Sequence, residues 1–269
     1  MKSDFLAAHM LNAASSVSES AALLINRSAS FQQAVAFCGA YRRIAISSLL
    51  LQGLPDEFFE NLFRSGRAFG FFLENAQNKE EQTLSKMIPF FDAVAGCDEE
   101  GARKIAVHSL KRHDARMEYE DDFLHFSFLM GKFYLDVLPS ELDGMLLRWE
   151  NILAGQPDFR FDLCKSLQTK DSALFETGFV ALAEQVVAKA RKAARFESEP
   201  EEDLATFPNV SVEGLALIRF AERLGMAVPE VLPLVPAVTR PPVQPRYDPE
   251  SWRRPVKVLG KEIDDNVFM

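Results

Sequence analysis

Two histidines, one cysteine and four carboxylates fall within twenty residues, AGCDEEGARKIAVHSLKRHD, between Ala95 and Asp114. Such a set could bind a divalent metal or supply a general base. The spacing argues against both. His108 and His113 are five apart, on different faces of a helix. A helical zinc-protease pair needs a spacing of four with Glu after the first His, and Ser109 stands there. Read as a helix, the stretch places His108 on a polar stripe with Glu100, Lys104 and Lys111, and it pairs Glu99 with Arg103 and Glu100 with Lys104 at i,i+4. A charged helix accounts for these residues without catalysis.

Asp122 and His125, at i,i+3, are the second candidate. Di-iron bundles use Glu-x-x-His twice with two further carboxylates, and no Glu-x-x-His occurs in this chain. Cys97 follows Gly96 just before a helix start, where a thiolate can be stabilised, but no activating partner is evident. Walker A, GxGxxG and GxSxG patterns do not occur. No catalytic, metal or cofactor-binding residue is therefore assigned. Glu118, Glu120, Asp121 and Asp122 differ in kind. No basic residue lies among them; Arg112 and Arg116 precede the cluster and Lys132 follows it. They form a candidate negative patch for a basic protein partner.

The elements that must position these residues are helical. Apolar spacing of three and four recurs up to about residue 225, and strict alternation is nearly absent. About nine helices are expected in an all-α domain of stacked helix hairpins. Short helices are expected over 4–13 and 17–27, and a long one over 29–52 with Phe31, Val35, Cys38, Ile46, Leu49 and Leu50 facing the core. A Phe-rich helix runs from Pro55 to about Gln77, where Gly66 and Gly70 allow close approach of a neighbour. The acidic helix places Tyr119, Phe123, Phe126, Met130 and Phe133 on one stripe. Its opposite stripe carries Glu118, Asp121, Asp122, His125, Lys132 and Asp136.

The centre repeats. Ala95–Asp114 matches Ala154–Asp171: Ala-Gly, then Arg103 or Arg160, five residues, Ser-Leu, three residues, Asp. Gly96 and Gly155 are expected to end helices in the left-handed conformation, and Asp114 and Asp171 to cap the helices that follow. Ser140 and Asp143 have capping-box spacing, and Leu142, Met145, Leu146, Trp149 and Leu153 share one face. A further helix runs from Ser172 to about Arg195. Residues 197–209 read as an acidic linker, and the helix after it closes at Gly225. Eight of the fourteen prolines lie between 229 and 255. The domain reading is thus a helical body over 1–228 and a Pro-rich extended tail over 229–269, with Trp252 as its anchor.

Composition narrows the function classes. The 269 residues carry a net charge of −9, which disfavours nucleic acid as a partner. Phe is abundant, 23 against 4 Tyr and 2 Trp, as in a thick apolar core. Three separated cysteines suit a reducing compartment. Asp4 and His9 interrupt any signal-peptide core, and the apolar run IAISSLLLQGL is too short to cross a bilayer. A cytoplasmic location without membrane attachment is expected.

Across residues 30–230, the order of AVAGCDEEGARKIAVHSLKRHD, EYEDDFLHFSFLMGKF, ELDGMLLRWENILAGQPDFRFDLCKSLQTKDSALFETGFVALAEQ and VEGLALIRFAERLGM resembles the immunity protein 49 family of bacterial polymorphic toxin systems. The resemblance implies a non-enzymatic inhibitor that binds a cognate toxin domain, and it transfers no site residue. The competing expectations are a helical-hairpin adaptor for a non-toxin protein and an all-helical metal-dependent enzyme.

Overall fold

The computed structural model describes residues 3–53, 55–76, 82–241, 247–258 and 261–262. Among them the chain forms eleven α-helices, so the molecule is all-α. The first is α1 (Ser3–Ile25), a single helix where two were expected. Met10, Ala13, Ala14 and Val17 make one continuous buried face across the expected break. Ser16 does not interrupt it, because its hydroxyl donates to Asn12 O within the helix.

Helices α2 (Phe31–Gln52) and α3 (Pro55–Asn75) form the central layer, and α2 packs on both α1 and α3. Ser30 and Gln33 make a reciprocal capping box at the start of α2. Five of its six expected core residues turn inward or half-inward; Leu50 is exposed. This helix is long and apolar enough, by composition, to cross a membrane, but its apolar side chains are largely core. Phe58, Phe59, Leu62, Phe63, Phe69 and Phe72 of the Phe-rich helix α3 are all buried. Gly66 is needed because a Cβ there would come within 2.7 Å of the Ala93 Cβ. That is the close helix approach expected from the glycine spacing.

The repeated centre is two hairpins, α4 (Pro89–Ala95) with α5 (Glu99–His108), and α7 (Pro139–Leu153) with α8 (Phe159–Thr169). Between them runs α6 (Glu120–Tyr134). The turns differ from expectation. Gly96 is not left-handed: φ is −73°, and Cys97 takes the positive φ of 57°. Gly96 is required instead by space, since a Cβ would sit 3.0 Å from Asp92 O and 3.2 Å from Phe63 N. In the second hairpin Ala154 and Gly155 are both left-handed. Asp171 caps its helix by accepting from the Ala173 and Leu174 amides. Asp114 does not cap one. Tyr119 is the N-cap of α6, and Asp114 closes a turn onto the Arg116 amide. Helix α7 begins at Pro139, with Glu141 accepting from the Leu138 amide in place of the Ser140–Asp143 box.

Helix α9 (Ser172–Phe196) leads to α10 (Glu201–Thr206), a helix inside the expected linker. The linker helix docks on α2 with Ala205 and Thr206 buried, and Asp203 pairs with Arg43 at 2.8 Å. Helix α11 (Val212–Arg223) is capped by Ser211 and packs on α4. The Pro-rich tail then returns over the body. Arg219 of α11, 5% exposed, donates to the carbonyls of Thr239, Arg240 and Pro241. Trp252 is the expected anchor: its ring is buried against Phe37 and Phe71, and its carbonyl accepts from the Tyr41 hydroxyl at 3.0 Å. Beyond it, Lys257–Val258 and Lys261–Glu262 form a two-residue antiparallel pair. The expected tail also spans 242–246, 259–260 and 263–269, which lie outside the described residues.

Candidate interaction surface

The opening stretch does not assemble a site. Its carboxylates are absorbed by tertiary ion pairs, not by the i,i+4 pairs expected along α5. Glu99 pairs with Arg223, Glu100 with Arg67 at 2.9 Å, and Lys104 with Glu74 at 2.9 Å; Arg103 donates to Tyr134 O. His113 contacts Glu118 O at 2.9 Å through Nε2, and α5 ends at His108, so the two histidines belong to different segments. Asp98, buried, caps α5 at Gly101 and receives Arg67 at 2.7 Å. Burial raises its carboxyl above the ordinary range, against the pull of the Gly101 amide and Arg67.

Asp122 and His125 also part company. His125 is 2% exposed, although the helical stripe placed it on the polar face. Helix α6 is packed by its neighbours on several sides, so its middle is enclosed all round, His125 included, while the polar residues nearer its ends keep partial exposure. The His125 ring meets Phe91, Phe126 and Trp149 edge-on. Nδ1 lies 4.0 Å from the Cys164 sulfur, and Nε2 lies 3.4 Å from a Glu213 carboxylate oxygen. The two heteroatoms therefore face opposite nitrogens of the ring, and one metal ion could not gather both. Burial holds the Cys164 thiol well above its ordinary pKa, so it is a protonated packing group. Among the described residues, no three His, Cys, Asp or Glu side chains converge as a metal set.

The four acids proposed for partner binding stand at the N-terminal end of α6, where negative charge complements the helix dipole. They are not a free patch. Glu118 accepts from the Leu84 and Ser85 amides at 3.2 and 2.7 Å. Glu120 pairs with Arg148 of α7. Asp121 and Asp122 both engage Arg160 of α8, which also meets Asp158 at 3.2 Å. Burial alone would lower the Arg160 pKa; Asp158 and Asp122 overcome it and raise the value. Arg148 and Arg160 were invisible as partners in the local sequence because they arrive from later helices.

The carboxylates stay near the surface even so: Asp121 and Asp122 retain 29% and 32% of their side-chain exposure. Tyr119, expected on the apolar stripe, is 80% exposed. It precedes the first turn of α6, so the stripe had been extended one step past the helix start. Met117 flanks the cluster on this segment, while Leu147 and Ile152 flank Arg148 on α7; all three are exposed. Exposed apolar and aromatic side chains thus adjoin, in sequence, the residues of the Glu120–Arg148 and Asp121/Asp122–Arg160 pairs. Searches of protein-family models, curated proteins and solved structures found no match for this chain.

Proposed function

We propose that the protein is a cytoplasmic immunity protein, which neutralises a cognate bacterial toxin domain by direct contact and without catalysis. The observation that carries this reading is Tyr119, an exposed aromatic side chain immediately before three partly exposed, arginine-paired carboxylates. Interfaces concentrate affinity in aromatic and arginine anchors surrounded by a polar rim. Fixing the rim in advance reduces the entropy lost when a partner docks. Glu118, Glu120, Asp121 and Asp122 belong to this surface as its oriented rim. Their negative charge suits a basic toxin, because complementary charge speeds encounter. The family resemblance noted across residues 30–230 supports the same reading.

Co-expression with the C-terminal toxin domain encoded by the adjacent gene tests it. Restored growth and a stable co-purifying pair are expected. Continued toxicity with both proteins soluble would reject the reading.

A further inference from the structure

Helix α9 is embedded for only part of its length. Phe175, Gly178, Phe179, Leu182 and Ala183 are buried, and beyond them only Ala193 is. Val180, Glu184, Val187 and Arg191 follow one another along one face of the helix, from its embedded part into its free part. With Pro233 and Leu234 opposite, they line an open apolar trough of about 440 Å³. Ser211 fixes the far wall by donating its amide to Leu234 O at 2.8 Å. Glu184 and Arg191 are exposed and make no ion pair among the described residues.

Glu184 and Arg191 stand seven residues apart, two helical turns along the same face. We propose that this face joins two copies of the chain, α9 lying antiparallel to its counterpart about a two-fold axis midway between the two residues. That axis passes beside Val187 and Ala188. Each Glu184 then meets Arg191 of the partner subunit, and the small, exposed side chain of Ala188 lets the backbones approach. A two-fold interface must be complementary to itself, and the Glu184/Arg191 stripe is so in charge. A parallel arrangement would set Glu184 against Glu184 and Arg191 against Arg191. A peptide of a single charge sign would satisfy one of the pair and repel the other. This inference is independent of the toxin reading.

Sedimentation equilibrium on the full chain tests the proposal. A reversible species of twice the 30.2 kDa chain mass is expected by about 100 µM, a range in which micromolar self-association is populated. Glu184→Arg alone and Arg191→Glu alone each turn two attractive pairs into two repulsive ones and weaken the dimer by about tenfold. The double variant Glu184→Arg with Arg191→Glu restores it to within about threefold of the parent. Circular dichroism should show the same helix content throughout, since both positions are exposed. A strictly monomeric parent chain would overturn the proposal. So would single variants that dimerise normally, or a double variant no better than the singles.

Discussion

Arg42–Asp92 and Arg160–Asp121/Asp122 use the same two side-chain types for opposite ends. Asp92 is fully buried and receives Arg42 through two nitrogens, at 2.5 and 2.7 Å, with the Ser65 hydroxyl at 2.5 Å. Arg42 is itself 12% exposed. That network joins α2, α3 and α4 and offers nothing to a partner. Around Arg160 the carboxylates keep about a third of their surface and sit beside exposed Tyr119. Burial, not chemistry, separates a scaffold pair from one that stays within reach of a partner. A buried charge must keep its partner, whereas a half-exposed one is solvated when it loses one.

Substitution should magnify this contrast. Asp92→Ala strands the Arg42 guanidinium in the interior and should cost about 3–5 kcal/mol in urea-unfolding free energy. A cost near that of a surface change would show that water reaches Arg42. Arg219→Ala lies between the two cases, because this buried arginine faces neutral carbonyls of the tail. A loss of about 1.5–3 kcal/mol is expected, typical of hydrogen bonds to a charged group. Amide hydrogen exchange should quicken in residues 236–241 first; equal quickening across α2 and α3 would mean that Arg219 supports the body and not the tail. At the small end, Asp121→Asn with Asp122→Asn leaves Asp158 on Arg160 and should change stability by less than about 1 kcal/mol. A larger loss would move the cluster into the scaffold class.

The scaffold was more legible in the sequence than the surface. Local signals were sufficient for the Asp171 cap and the Gly225 stop, for the close approach at Gly66 and for Trp252 as the tail anchor, since each depends on neighbours in sequence or on bulk apolar character. The acidic cluster was visible as composition, but its partners were not. Arg148 lies 28 residues from Glu120, and Arg160 lies 38 and 39 from Asp122 and Asp121. His125 was misplaced for a related reason: helical periodicity tells which residues share a face, not how many faces the fold will cover. The i,i+4 pairs assigned to α5 failed likewise, because Arg223, Arg67 and Glu74 from other helices supplied better partners.

Calorimetric titration of the cognate toxin domain with the parent chain and with Tyr119→Ala tests the central claim most directly. Truncating an aromatic anchor should weaken binding by at least about thirtyfold, which corresponds to the 2 kcal/mol of a hot spot, while the unfolding midpoint stays unchanged. Undiminished affinity in a folded Tyr119→Ala variant would contradict the account and remove this end of α6 from the recognition surface.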